Sequence, residues 1–323
     1  MEGAILTYSL LAVGLVLLTL GGDTLVRGAS TAARSLGVSP LLIGLTLVGF
    51  GTSTPELVTS LTAAFADSPG IAVGNVVGSN SANILLILGL TVLIAPFAVD
   101  RAAFKRDGTM LVVSALVCVA AVLAGTVGRI WGVAMLALLV AYVVLAYLGE
   151  RNVQDAERAK YEHIAEDAPD AKGGLWAGLG LAVLGIALTI GGARLLVDNA
   201  IVIARDLGVS DTIIGLTVVA VGTSLPEMVT SIVAAIRRHA DVALGNVIGS
   251  NIYNVLGILG VTALITPIRI PVEIARFDIW VMLAATALLV IFVRTGMRLS
   301  RWEGFTLIAA YAAYVAWLVR GAI

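Results

Sequence analysis

One long segment of this 323-residue chain occurs twice. LGVSPLLIGLTLVGFGTSTPELVTS begins at Leu36, and LGVSDTIIGLTVVAVGTSLPEMVTS begins at Leu207. A second pair, GNVVGSNSANILLILG from Gly74 and GNVIGSNIYNVLGILG from Gly245, keeps the same offset of 171 residues. Because the register holds through the intervening turn, the sequence predicts two copies of one structural unit.

Both copies are strongly apolar. Hydrophobic residues make up 59% of the chain and charged residues only 13%, whereas about a quarter of the residues in a soluble domain are charged. A membrane-spanning helix needs about 20 apolar residues. The sequence therefore predicts an all-α polytopic membrane protein with about ten transmembrane helices, in apolar windows near residues 5–20, 40–66, 71–98, 108–127, 130–148, 174–193, 212–236, 242–267, 278–293 and 303–319.

The two copies divide the chain into a first repeat, residues 1–149, and a second repeat, residues 174–323. Five spans in each half is an odd number, so the second half enters the membrane from the opposite face. Two inverted five-helix repeats are the arrangement that secondary transporters use for alternating access. Residues 150–173 are hydrophilic and carry charges of both signs without the spacing of an EF-hand calcium loop, so we interpret them as a solvated linker.

The distribution of Lys and Arg predicts the orientation, because cytoplasmic loops retain positive charge. With the N-terminus outside, fourteen of the twenty Lys and Arg residues fall on the inner side. We therefore expect both termini to be extracellular, the linker to be cytoplasmic, and the protein to lie in the cell membrane. The net charge of −1 excludes a nucleic-acid footprint, and the sequence gives no sign of an obligate protein partner besides the lipid bilayer.

Glu56 and Glu227 are the strongest candidates for a functional site. Each occurs in a GTS-x-PE motif between long apolar runs, and an ionisable residue inside a spanning segment is costly and usually functional. The alternative is that each Glu only begins a helix at the membrane surface, at its positive end. The apolar runs on both sides leave little room for such a surface turn.

The residues before each Glu supply further oxygen ligands. Pro55 and Pro226 are predicted to break their helices, because proline removes a backbone donor and clashes with the carbonyl four residues earlier. Backbone carbonyls freed in this way must be satisfied by protein, water or an ion. An all-oxygen set suits Ca²⁺ or Na⁺ and suits Zn²⁺ poorly. The hydroxyls within one turn of the two acids belong to Thr52, Ser53, Thr223 and Ser224.

The GNxxGSN motif adds amides and hydroxyls. Ser79 and Asn83, like Ser250 and Asn254, are four residues apart and share a helix face. Taken alone, the motif also fits a small-residue packing face in which Asn links two helices. Its repetition in register with the Glu motif favours a role in the same site.

These motifs resemble the two repeat signatures of the cation/Ca²⁺ exchangers, and GTSTPE and GTSLPE are similar to those of the sodium/calcium exchanger branch of the prokaryotic type. The resemblance covers both halves. The proton-coupled branch usually carries a GNxxE-type motif instead. The resemblance implies a ten-helix fold with four cation positions around the two acids. Its implied ligands are Glu56, Glu227, Thr52, Ser53, Thr223, Ser224, Ser79, Ser250, Asn83 and Asn254, with carbonyls from Gly49 and Ala220.

Asn83 and Asn254 depart from the family pattern. Sodium/calcium exchangers commonly carry Asp at one of these positions, and potassium-dependent relatives commonly carry Asp at both. The sequence thus predicts an antiporter, not an enzyme, that exchanges Na⁺ for Ca²⁺ without potassium and needs no cofactor. A Ca²⁺/H⁺ antiporter and a cation channel remain the alternatives.

Overall fold

The computed structural model of this protein describes residues 2–151, 174–206 and 220–322. Within them the chain is almost entirely helical. We number twelve helices in chain order: α1 Glu2–Leu36, α2 Pro40–Thr52, α3 Thr54–Phe65, α4 Pro69–Ile94, α5 Arg101–Leu123, α6 Arg129–Arg151, α7 Leu175–Asp206, α8 Ala220–Thr223, α9 Leu225–Ile236, α10 Ala240–Ile265, α11 Ile274–Gly296 and α12 Arg301–Ala322.

Seven helices of the described segments are long and apolar enough to cross a membrane, and the bent pair α2–α3 makes up to eight. The expected count of about ten is therefore not confirmed. Helix α12 is long enough, but it begins with Arg301 and Glu303 and is not among the seven. Helix α9 has only 12 residues, and the sequence that precedes α8 lies outside the described residues. The predicted linker, residues 150–173, also lies almost wholly outside them.

The expected helix breaks are present at both GTS-x-PE motifs. Ser53 separates α2 from α3, whose axes differ by 45°, and Ser224 separates α8 from α9. Pro55 and Pro226 occupy the first turn of the helix that follows, where a missing N–H costs nothing. The break thus falls at the serine two residues before the proline, and each Glu lies in the first turn of a new helix.

Helix regularity also changes at the second motif. A π-helical turn begins at Asn83 within α4, and another begins at Asn254 within α10. Further π-helical turns cover Gly44–Val48 and Ile274–Asp278. Such turns are rare and often lie at functional sites.

Four short strands depart from the all-α expectation without changing the fold class. They are β1 Phe97–Ala98, β2 Thr126–Val127, β3 Ile268–Arg269 and β4 Arg298–Leu299. β1 pairs antiparallel with β4, and β2 pairs antiparallel with β3. Each two-stranded ladder therefore joins one half of the chain to the other.

Small residues let helices of the two halves approach closely. A side chain on Gly178 of α7 would collide with the backbone nitrogen of Ala32 in α1, and one on Gly249 of α10 would collide with the Leu45 carbonyl in α2. Close backbone approach of this kind is typical of helix packing in membranes. It brings α2 and α10 together where the two repeated motifs meet.

Candidate cation site

Glu56 and Glu227 lie in equivalent positions, each in the first turn of its helix and each 1% exposed. Their hydrogen bonds cross between the halves. Ser53 Oγ donates to Glu227 Oε1 over 2.9 Å, and Ser224 Oγ donates to Glu56 Oε1 over 3.2 Å. Each carboxylate is thus held by the serine at the other half's helix break, and the two broken helices meet at one place.

The second oxygen of each carboxylate has no hydrogen-bond donor among the described residues. The same is true of three amide oxygens in the second motif. The five atoms are Glu56 Oε2, Glu227 Oε2, Asn83 Oδ1, Asn251 Oδ1 and Asn254 Oδ1. Leaving a buried acceptor unsatisfied costs about 1–3 kcal/mol, and more for a charged group. A desolvated cation satisfies such oxygens directly, so the arrangement suits cation binding.

Two asparagines that the sequence analysis did not select hold the backbone of this site. Asn75 Nδ2 donates to the Glu56 carbonyl over 3.0 Å, and Asn246 Nδ2 donates to the Glu227 carbonyl over 3.1 Å. The same amides also bond Ser60 and Ser231 respectively. These four residues repeat at the offset of 171, and each serine follows its Glu by four residues. That repetition is the feature of the sequence from which these supporting residues could have been predicted.

The predicted hydroxyl ligands around Gly49 are brought together. Ser250 Oγ donates to the Gly49 carbonyl over 3.2 Å, and Thr52 Oγ1 lies 3.4 Å from the same carbonyl. Thr52 Oγ1 also bonds Val48 O and Asn246 Oδ1. The Gly49 carbonyl therefore accepts hydroxyl donors here, and a cation at that position would have to displace at least one of them.

Asn80 connects the two asparagine motifs. Its Nδ2 donates to the Asn251 carbonyl over 3.1 Å, and its Oδ1 accepts from Asn254 Nδ2 over 3.0 Å. The side-chain oxygen of Asn254, Oδ1, has no donor within the described segments. The hydrogen bond to Asn80 thus fixes the orientation of the Asn254 amide and leaves this oxygen available to a ligand.

Ser79 and Thr223 border a cavity of about 420 Å³. Asp278 lines the same cavity and accepts a hydrogen bond from Tyr314 Oη over 2.9 Å. A smaller cavity of about 150 Å³ also reaches Thr223, beside Pro55. Both cavities are large enough for water, and together they reach two of the predicted ligands, Ser79 and Thr223. Ala220 begins α8, and none of the contacts described above involves its carbonyl.

The ligand chemistry is that of a hard cation. No group of three or more His, Cys, Asp or Glu side chains suited to a metal ion occurs in the described part of the chain. The available oxygens instead come from two carboxylates, several hydroxyls and three amides, which is the ligand type that Ca²⁺ and Na⁺ take.

A multi-pass helical membrane protein with two broken helices and a buried acidic site belongs to the class of ion transporters. The comparison with known families identifies it further. The family model for sodium/calcium exchanger proteins matches residues 6–148 and 177–320. The chain belongs to the sodium/calcium exchanger family, which confirms the resemblance seen in its motifs.

Relatives along the whole chain agree. The chain is 41% identical over 305 residues to the putative antiporter CaxA of Alkalimonas amylolytica, covering 94% of this chain and 95% of that protein. It is 35% identical to the sodium/calcium exchanger MaX1 of Methanosarcina acetivorans, with 95% and 97% covered. These relatives are exchangers and antiporters, not enzymes.

A solved structure shows the same fold. The sodium-calcium exchanger NCX_Mj, soaked with 10 mM Na⁺ and 10 mM Sr²⁺, superposes with a TM-score of 0.83 at 33% identity, covering 97% of this chain and 98% of that one. The family and this match make the chain a cation/Ca²⁺ antiporter of the membrane. Ions of this kind are transported substrates and not cofactors.

Proposed function

We propose that the protein exchanges Na⁺ for Ca²⁺ by alternating access, with the ions bound between Glu56 and Glu227. The observation that carries the proposal is that Glu56, Glu227, Asn83 and Asn254 each have a buried acceptor oxygen without a donor in the described segments. A cation binding here removes the cost of leaving these oxygens unsatisfied.

The charges of the site and of the ions indicate how Na⁺ transport is coupled to Ca²⁺ transport. Two buried carboxylates oppose occlusion of an empty site, because an isolated charge in a low-dielectric interior is costly. One Ca²⁺ neutralises both. If three Na⁺ replace one Ca²⁺, the loaded site changes from neutral to one net positive charge, and transport becomes electrogenic. Ca²⁺ and Na⁺ compete for the same oxygens, and this competition produces exchange.

The proposed division of the chain into two repeats is consistent with alternating access. Residues 1–149 and 174–323 would form two inverted repeats that rock about the fixed site, joined by a cytoplasmic linker, in the cell membrane with both termini outside. Epitope tags at the two ends, probed on intact cells, test this orientation. Staining of either tag only after permeabilisation would contradict it.

A gradient-exchange experiment tests the function. The purified protein is reconstituted into liposomes, and Ca²⁺ uptake is measured with an outward gradient of Na⁺, K⁺ or H⁺ in separate samples. We expect uptake with the Na⁺ gradient alone. Uptake driven by a pH gradient in sodium-free buffer identifies a Ca²⁺/H⁺ antiporter instead. Equal Ca²⁺ entry without any counter-ion gradient identifies a channel and rejects the proposal.

A further inference from the structure

A third cavity, larger than the two that reach Thr223, opens between α5 and α11, and none of its lining residues belongs to the ion site. Its volume is about 670 Å³. It lies at the end of the molecule where β1 pairs with β4, immediately before α5 and after α11. Its lining consists of Arg101, Phe104, Lys105, Gly108, Thr109, Val112, Val113, Val290, Arg294, Thr295, Gly296 and Met297.

The lining changes from charged to apolar along the helix axes. Arg101 and Lys105 lie in the first two turns of α5, whereas Val113 lies 12 residues after Arg101, a rise of about 18 Å at 1.5 Å per residue. On the opposite wall, Arg294 lies in the last turn of α11, and Val290 lies one turn deeper. Both walls are therefore cationic at the helix ends and apolar toward the middle of the spans.

The three cations have no acidic partner within the described residues. Arg101, Lys105 and Arg294 are exposed, and none forms an ion pair there. The acids nearest in sequence are engaged elsewhere, and Asp107, which is nearest to Lys105, forms an ion pair with Arg106. Asp100 caps α5 by accepting from Ala103 N over 2.9 Å, and Glu303 accepts from the backbone N–H and the hydroxyl of Ser300. The mouth of the cavity therefore carries uncompensated positive charge.

The repeat provides an internal comparison. At an offset of 171 residues, Arg101 corresponds to Val272, Lys105 to Arg276, and Arg294 to Leu123. The equivalent place in the other half thus has one cation in place of three. Helix packing between repeats does not require the basic cluster, because the other half of the molecule lacks it.

We propose that this cavity binds an anionic phospholipid, with its phosphate between Arg101, Lys105 and Arg294 and an acyl chain along Phe104, Val113 and Val290. Along the membrane normal, a phospholipid has a charged headgroup followed by apolar acyl chains. The cavity walls change from charged to apolar in the same direction. Basic pockets between spanning helices are suited to anionic headgroups. A lipid seated here joins α5 to α11 at the membrane surface.

The test measures lipid retention by the full-length protein. The protein is purified in detergent, incubated with equal amounts of phosphatidylglycerol and phosphatidylcholine, and analysed by native mass spectrometry. We expect about a tenfold preference for phosphatidylglycerol. The preference should fall to near one in the triple variant Arg101→Gln, Lys105→Gln, Arg294→Gln. These side chains are exposed, so the variant should keep its thermal unfolding temperature.

A charge-matched control separates a site from general attraction. The variant Arg129→Gln, Arg269→Gln, Arg276→Gln removes three exposed cations elsewhere and should keep the preference. Equal loss in both triple variants would overturn the proposal. Filling the apolar wall with Val290→Trp should also abolish retention, and retention in that variant would show surface charge alone and reject the cavity. Excess inorganic phosphate should not displace the lipid, whereas displacement would show that the acyl chain plays no part.

Discussion

Gly78 and Gly249 occupy equivalent positions in the two repeats but have opposite surroundings. Among the described residues, a side-chain carbon on Gly249 would collide with the Leu45 carbonyl, whereas one on Gly78 would meet nothing within 4 Å, and Gly78 lines the cavity beside Ser79. Gly249 packs α10 against α2, and the segment equivalent to α2 in the second half lies mostly outside the described residues. Within the described residues, Gly249 is therefore close-packed, whereas Gly78 borders a cavity.

Gly249→Ala should therefore destabilise the protein, and Gly78→Ala should not. Inserting a methyl group into a close-packed contact costs about 1–3 kcal/mol. We expect a thermal unfolding temperature lower by several degrees in detergent for Gly249→Ala and an unchanged value for Gly78→Ala. If the halves exchange conformations during transport, Gly78→Ala should slow turnover nonetheless. Equal stability of the two variants would contradict the packing difference.

Neutralising either acid should abolish exchange. Glu56→Gln and Glu227→Gln keep the size and the acceptor for the crossed serine, but they remove half of the fixed charge that the ions neutralise. We expect Ca²⁺ flux in liposomes to fall to background with normal elution on size exclusion. Glu273→Gln, at an exposed acid, is the control and should keep full flux. Near-normal flux in both site variants would refute the assignment.

The crossed hydrogen bonds predict equal effects of two serine substitutions. Ser53→Ala removes the donor to Glu227, and Ser224→Ala removes the donor to Glu56. A hydrogen bond to a charged group contributes about 1.5–3 kcal/mol, so each change should alter apparent ion affinity by about 10- to 150-fold, and both should alter it in the same direction. Thr54→Ala, which removes only a local bond to the Gly51 carbonyl, should have little effect. A large effect from one serine alone would show that the site is not symmetric in function.

The neutral pair Asn83 and Asn254 predicts exchange that does not depend on potassium. Ca²⁺ flux should be the same with K⁺ or choline as the balancing cation. Asn254→Asp adds a third carboxylate at a position whose Oδ1 has no donor within the described segments, so the Na⁺ dependence of Ca²⁺ flux should shift. A K⁺ requirement in the unaltered protein would contradict this prediction.

His239 should make stability depend on pH. Burial, followed by the positive charges of Arg34 and Arg237, lowers the pKa of its imidazole below the usual value. The unfolded chain therefore binds a proton more readily, so stability is full above a pH of about 6.5 and is lost as the pH falls through the folded-state pKa. Thermal unfolding between pH 7.5 and pH 5 should show this loss. His239→Gln should reduce the slope, and an unchanged slope would assign it to other groups.

The sequence predicted those parts of the site that depend on local pattern. The repeat, the breaks before Glu56 and Glu227, and the exchanger family all follow from motifs and spacing. The hydrogen bond from Ser53 to Glu227 does not follow from the sequence, because it depends on how the two halves pack together. The spacing of residues within one half does not indicate that packing. The π-helical turns at Asn83 and Asn254 were also missed, since no local propensity distinguishes them from an ordinary helix turn.

The span count and the two asparagines that support the backbone differ in outcome. Apolar windows predicted about ten spans, and the described helices include seven to eight of sufficient length and apolarity, with the segment before α8 outside the described residues. Asn75 and Asn246 lie in the repeated motif, but side chains that bond a carbonyl on another helix cannot be distinguished by sequence from ligands or packing residues. The short strands were not predicted, because a strand of two residues is too short to show the alternation of apolar and polar residues that identifies a strand.

The strand ladders have a further consequence. Phe97 pairs with Leu299 at one ladder, and Val127 pairs with Ile268 at the other, so matching surfaces of each half contact the other half reciprocally. This is the geometry of an isologous dimer interface. The two halves are thus held to one another at two separate places by the same reciprocal pairing, in addition to their connection along the chain.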